Sequence, residues 1–392
     1  MTTVTHNGSA KRWRMLGLGV FAQGSSAVFI NGTPFLLPAL TDRGLSLATA
    51  GLLVAMPTLG LVCTLIAWGY VVDRIGEHKV LVAGPALMLI AGVAAATVTN
   101  YVALGALLFL GGMGAASTNG ASGRVIVGWF AKDQRGLAMG IRQTAQPLGV
   151  AIGALTIPAV AAAHGFSTAI LVPAVMAGVA AVACLFGIID PPRPESTGDT
   201  GRPVNPYRGD STLWRIHAVS VLLCIPQAAL WTFALLWLHR DVGWSLAAAG
   251  VLVTLTQILG AGGRIGAGIW SDRVASRLGP LRTVAIAAAI SMAALALASW
   301  AQWWWAAIPI LVAASVITVT DNGLAFTAVA EIAGPYWSGR GLGIQNTGQN
   351  LAMAAVAPAF GALITVSGFS ITYLLAAVVA AAAVPLVPRE SR

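Results

Sequence analysis

Five ionisable side chains fall inside long apolar stretches of this sequence: Arg124, Arg142, Arg264, Asp321 and Glu331. Inside a bilayer a charge costs about 2.5–3.5 kcal/mol on insertion scales and usually has a use. Asp321 lies near the middle of its stretch, beside Asn322-Gly323. A carboxyl group shielded from water at that depth can load and unload a proton near neutral pH. Arg142 opens an Arg-Gln-x-x-Gln array with Gln143 and Gln146, and a second array offers Gln345, Asn346, Gln349 and Asn350. Amides four residues apart share one helix face. An arginine among amides suits an oxyanion, because its planar fork bonds a carboxylate at two points. The plainer readings are a neutral acid bonded to a neighbouring helix and amides that hold helices together.

These residues need long helices to position them. Hydrophobic residues make up 57% of the 392-residue chain and charged residues only 9%, against roughly 25% charged in soluble domains. A hydrocarbon core of ~30 Å asks for helices of about 20 apolar residues. The segments are too long, and alternate too little, for barrel strands. Apolar runs between charged or Gly/Pro-marked gaps predict twelve helices, near 15–40, 46–69, 79–99, 102–129, 137–163, 167–189, 214–238, 245–270, 282–300, 304–331, 340–364 and 368–387. The polar, proline-bearing stretch between them predicts a six-helix half over 1–189, a linker over 190–213 and a second half over 214–392. Lys11-Arg12-Trp13-Arg14 precedes the first run without a convincing cleavage site, so a retained first helix is expected.

Loop charges predict the orientation. Seventeen basic residues lie on the side shared by both termini, among them Arg74, Lys79, Lys132, Arg135, Arg273 and Arg340; the other side has Arg43 and Arg240. Basic residues stay inside during insertion, which predicts cytoplasmic termini and a cytoplasmic linker. The same distribution reads the net charge of +9 as topology rather than nucleic-acid binding. All 13 tryptophans except Trp231 lie at or near a predicted span end, where indoles prefer the headgroup level. Cys63, Cys184 and Cys224 fall within spans without CxxC spacing, so neither a disulfide framework nor a metal site is indicated.

Two phrases recur at about half-length. Gly69-Tyr70-Val71-Val72-Asp73-Arg74-Ile75-Gly76 is echoed by Gly268-Ile269-Trp270-Ser271-Asp272-Arg273. Gly140-Ile141-Arg142-Gln143 and Asn119-Gly120 are echoed by Gly343-Ile344-Gln345-Asn346 and Asn322-Gly323 at nearly the same spacing. Such parallel repeats mark secondary transporters. On these residues the chain resembles the major facilitator superfamily over essentially its whole length, with the signature G-x-x-x-D-R-x-G at Gly69, Asp73, Arg74 and Gly76. Glu77, His78 and Lys79 replace the usual basic run that follows. The resemblance implies a six-plus-six all-α fold and a cavity lined mainly by spans 1, 4, 7 and 10, opening alternately to each side. Asp73 is also well placed to meet the positive N-terminus of a helix from the other half, a contact worth about 0.3–2 kcal/mol that would bias the two packings.

Within that family the sequence points two ways. Arg264, eight residues before Asp272, looks like the eighth-span arginine of bacterial nitrate/nitrite porters, but the matching second-span position is Leu65. An inner-gate role for Arg264 and Arg124, paired with Glu331, is the other reading. Gly112-Met113-Gly114-Ala115-Ala116 resembles the fourth-span run of drug/proton antiporters, with Leu108 where they carry arginine. Further lining candidates are Gln23, Asn31, Asn119, Gln227 and Trp231, which would otherwise face lipid unsatisfied. No HExxH, GxSxG or phosphate-loop Gly-Lys occurs, so an enzyme or ATP-driven pump is not indicated. The expectation is a monomeric cell-membrane transporter with no cofactor or metal. It would move a small organic anion through Arg142 with protons through Asp321, and drug export is the alternative.

Overall fold

The computed structural model describes residues 6–191 and 205–389; residues 192–204, the larger part of the expected linker, lie outside the described residues. The elements are α1 (His6–Gly32), α2 (Leu37–Thr41), α3 (Leu47–Ile75), α4 (Glu77–Thr97), α5 (Tyr101–Trp129), α6 (Arg135–Gln143), α7 (Ala145–His164), α8 (Phe166–Gly187), α9 (Thr212–Arg240), α10 (Leu246–Arg273), α11 (Leu278–Trp300), α12 (Trp304–Ala333) and α13 (Ser338–Ala383). Short 3-10 turns occupy Thr33–Leu36, Lys132–Gln134 and Val384–Leu386.

Ten helical stretches among the described residues are long and apolar enough to cross a membrane. Helix α1, with Lys11, Arg12 and Arg14 near its start, is additional to those ten. Gly368, at φ 77°, interrupts α13 and makes two spans of it. The chain is thus an all-α multi-pass membrane protein with the twelve spans expected. One expected span, 137–163, departs from a single rod: a turn at Thr144 separates α6 from α7.

Local chemistry sets several helix starts. Ser46 Oγ accepts the Thr49 N–H at 3.2 Å to begin α3, and Ser245 Oγ accepts the Ala248 N–H at 3.2 Å to begin α10. Asn100 Oδ1 accepts from Val102 and Ala103 at the start of α5. Each side chain satisfies N–H groups that a helix terminus leaves orphaned.

Tertiary contacts divide the chain into two compact units. Unit 1 comprises Met1–Ala131, Arg142–Val204 and Ala333–Asn346; unit 2 comprises Lys132–Ile141, Asn205–Ile332 and Thr347–Arg392. In unit 1, small residues bring helices close: a Cβ on Gly114 of α5 would lie 2.7 Å from Gly84 O of α4, and one on Gly92 would lie 2.6 Å from the Ala174 Cβ of α8. Without a hydrophobic force between helices in lipid, this close packing supplies much of their association. In unit 2 a core around Trp237 joins α9, α11, α12 and α13, with Trp304 and Tyr373 rings at 6.0 and 5.9 Å edge to face. Trp237 Nε1 donates to Ser299 Oγ at 3.1 Å, which satisfies the one polar atom of that indole.

Candidate functional site

The recurring Asp-Arg turns build two related clusters. In unit 1, Asp73 at the end of α3 receives the first N–H groups of α13: Gly339 N donates to Oδ1 at 2.9 Å and Arg340 N to Oδ2 at 3.0 Å. Arg340 Nε adds a bond at 2.9 Å. Arg124 from α5 ion-pairs with Asp73 Oδ1, and its Nε donates to Glu77 Oε1 at 2.7 Å. Asp73, Glu77 and Arg124 are all buried. A carboxylate at a helix N-terminus meets both unpaired N–H groups and the positive end of the dipole. Removing one member of such a buried pair costs about 3–5 kcal/mol.

Unit 2 repeats the arrangement. Asp272 at the end of α10 accepts the Gly136 and Leu137 N–H groups of α6 at 2.9 and 2.8 Å. Arg277, in the turn after α10, reaches Asp272 at 2.6 Å and Glu331 at 3.2 Å. Burial opposes the charge on Arg277, but hydrogen bonds to Glu331 and Asp272 outweigh it and raise its pKa. Arg135 adds a contact to Glu331 at 3.5 Å. The expected pairing of Arg124 and Arg264 with Glu331 is therefore corrected: Glu331 is held by Arg277 and Arg135, and Arg124 by Asp73 and Glu77. Depth along a helix did not report which face each arginine occupies.

Close backbone approach underlies both clusters. A Cβ on Gly339 would lie 2.5 Å from Gly69 O, and one on Gly268 would lie 2.5 Å from the Gly136 carbonyl carbon. Gly76, at φ 98°, turns α3 into α4, where Asp190 Oδ1 accepts the His78 N–H at 2.7 Å. Arg74 and Arg273 are exposed; the Arg74 guanidinium stacks over Tyr70 at 4.4 Å. The partners Gly136, Leu137, Gly339 and Arg340 were not singled out from sequence. The Gly140/Gly343 repeat, extended one helical turn upstream, reaches Gly136 and Gly339 and carried that signal.

Toward the middle of the spans each unit holds a polar network. In unit 1, Gln23 Nε2 of α1 donates to Asn119 Oδ1 of α5 at 3.2 Å. Thr118 Oγ1 lies 3.1 Å from Gln23 Oε1 and 3.0 Å from Ser26 Oγ. Arg142 reaches the same network: Nε donates to Ser122 Oγ at 2.8 Å, Nη2 to Asn119 O at 2.7 Å and Nη1 to Gln143 Oε1 at 3.3 Å. Its fork is thus largely engaged within unit 1, and Arg142 is only 1% exposed. Gln146 is half-buried, and Asn31 donates to Ala27 O of its own helix. Gln345 and Asn346 are buried, with Asn346 bonded to Leu342 O.

Unit 2 mirrors the amide pair. Asn322 Nδ2 of α12 donates to Gln227 Oε1 of α9 at 2.9 Å, and Gln349 Nε2 of α13 donates to Asn322 Oδ1 at 2.9 Å and Ser220 Oγ at 2.6 Å. Beside this network Asp321 is 1% exposed, and among the described residues neither carboxyl oxygen makes a hydrogen bond of good geometry, although the backbone N–H groups of Asp321 and Asn322 interact with it. Arg264 of α10 interacts with it electrostatically. The Arg264 Nε donates to Val319 O at 3.3 Å, and its guanidinium lies 5.9 Å from the half-buried Trp231 ring. A buried carboxyl with no donor is stabilised by a proton or by a nearby cation. Arg264 is such a cation for Asp321.

Twelve membrane spans with duplicated turns and duplicated amide pairs define a secondary transporter built from two parallel repeats. The sequence model of the Major Facilitator Superfamily matches residues 19–357. The chain is 50% identical over 383 residues to the uncharacterized MFS-type transporter Rv2994 of Mycobacterium tuberculosis (strain ATCC 25618 / H37Rv), covering 97% of this chain and 86% of that one. It belongs to the Major Facilitator Superfamily and is a transporter, not an enzyme. Its fold is similar to that of FucP in the outward conformation, with a TM-score of 0.75 at 16% identity over 95% of this chain and 97% of that one. It is also similar to the human organic anion transporter MFSD10, with a TM-score of 0.76 at 15% identity over 96% of this chain and 99% of that one.

Proposed function

We propose that this transporter carries a small organic anion across the cell membrane together with protons, with Asp321 as the proton site. The observation that carries this reading is the Asp321 carboxyl, 1% exposed and beside the Arg264 charge, which meets no side-chain donor among the described residues. With Asp321 ionised, Arg264 is neutralised by it. Once Asp321 takes up a proton, the Arg264 charge is released to hold an oxyanion, and Trp231 offers an apolar wall for the rest of the cargo. Proton and anion then bind together and leave together, which is symport. Arg142 supports the cargo more modestly, because Ser122, Asn119 and Gln143 already take much of its fork.

Alternating access requires contacts that hold in one packing and break in the other. The Asp73 and Asp272 clusters have the right character, since each joins a helix end to a segment distant in sequence. Both lie on the side that the basic loops assign to the cytoplasm, together with the termini. The test is uptake into proteoliposomes of purified protein. An inward proton gradient should drive accumulation of a carboxylate cargo and not of its neutral amide. Gradient-driven extrusion of lipophilic cations instead would replace this reading by drug export.

A further inference from the structure

At the end of unit 2 that carries the chain terminus, a cavity of about 630 Å³ is lined by Thr212, Arg215, Arg282, Pro385, Pro388 and Arg389, with Val384 completing the wall. Three of these side chains are cationic, and none of the described residues lining the cavity is acidic. The neighbouring cavity of about 560 Å³, which shares Thr212 and Arg389 with it, is different: there Lys132, Arg277 and Arg389 meet Asp133, Asp210, Asp272 and Glu331, so acids outnumber bases.

Two of the three arginines of the first cavity, Arg215 and Arg282, are fixed. Arg215 Nε donates to Leu386 O at 2.9 Å, and its Nη2 reaches Pro385 O at 3.2 Å and Val387 O at 3.4 Å. Arg282 Nη2 donates to Val387 O at 3.1 Å. These bonds hold two half-buried guanidiniums of α9 and α11 against the segment after α13. They leave Arg215 Nη1 and Arg282 Nε and Nη1 without a protein acceptor among the described residues. Arg389 is exposed beside them. The nearby Asp210 is turned to the α9 start, where it accepts the Thr212 N–H at 2.8 Å.

We infer that this cavity binds the phosphate of an anionic phospholipid headgroup. A planar guanidinium with free N–H groups matches phosphate oxygens at two points. The cavity also sits at the first turns of α9 and α11, and Trp214 on the same turn of α9 is 51% exposed, as an indole at the headgroup level would be. Basic cavities between spans are the expected seats of anionic lipids. Because the lipid would tie the segment after α13 to α9 and α11, it would stabilise unit 2. This assignment rests on membrane residence and not on the identity of the cargo.

The test is native mass spectrometry of the full chain in detergent, with dioleoyl phosphatidylglycerol and dioleoyl phosphatidylcholine as probes. Phosphatidylglycerol adducts should be retained preferentially. Each of Arg282→Gln and Arg389→Gln should weaken that retention about fivefold, the loss expected for one surface cation. Arg389→Gln is included because Arg389 makes no hydrogen bond or ion pair among the described residues, and a thermal melt checks that each variant remains folded. Equal retention of both lipids, or unchanged phosphatidylglycerol retention in folded variants, would overturn the inference. So would displacement of phosphatidylglycerol by millimolar inorganic phosphate, which would mark a site for a soluble phosphate.

Discussion

Asp73 Oδ1 accepts the backbone N–H of Gly339 at 2.9 Å, across 266 residues of sequence. The same carboxylate binds Arg124 and Arg340, so one acid collects a helix N-terminus and two guanidiniums. Asp73→Asn keeps the shape but removes the charge that all three partners share. In the proposed cycle this loosens the cytoplasmic contact. A cysteine introduced at Ser338, which is 1% exposed, should then react with a soluble maleimide roughly tenfold faster, equivalent to about 1.4 kcal/mol. An unchanged labelling rate would remove Asp73 from the gate.

Arg124 bridges two acids with different nitrogens, which a point charge cannot reproduce. Arg124→Lys should therefore lower the melting temperature almost as far as Arg124→Gln. Recovery of most of the stability by lysine would mean that net charge, rather than the fork, is what Asp73 and Glu77 require.

Gly268→Ala places a Cβ against the Gly136 backbone and should cost about 1–3 kcal/mol of overpacking. Gly262, on the same helix, has open space where its Cβ would be. Gly262→Ala should melt at or slightly above the parent temperature. The pair is compared by thermal denaturation in detergent, and equal destabilisation would contradict the packing of α6 on α10.

The duplicated turn was legible because charges are rare in this chain, so Asp73 and Asp272 stand out against apolar surroundings. Span number followed from the same contrast. That a helix N-terminus could meet Asp73 was legible, but which one was not: the N–H groups that the two acids accept lie more than a hundred residues away, at Gly136-Leu137 and Gly339-Arg340. Arg124 illustrates the limit. Its depth was readable, but its azimuth around α5, which directs it to Asp73 and Glu77 rather than Glu331, is a property of packing. Likewise Gln23, Asn119, Gln227 and Asn322 could be named as polar span residues, while their pairing depends on how α1 meets α5 and α9 meets α12.

Arg264 and Arg142 carry different loads and should fail differently. Arg264→Gln should weaken binding of an anionic cargo several-fold to about a hundred-fold, the equivalent of about 1–3 kcal/mol for a lost charge-assisted bond. Its effect on a neutral analogue should be small. Arg142→Gln should chiefly lower the melting temperature, because it unties Ser122 and Asn119. Calorimetric titration beside a thermal melt separates the two, and the reverse pattern would return the anion to Arg142.

The account turns on Asp321. Proteoliposomes containing parent protein or Asp321→Asn are loaded and assayed twice, once for accumulation under an inward proton gradient and once for exchange of cargo at equal pH. Loss of uphill accumulation with substantial exchange retained is the predicted result, since only coupling requires the titrating group. Accumulation by Asp321→Asn against a gradient, with the parent's pH profile, would contradict it.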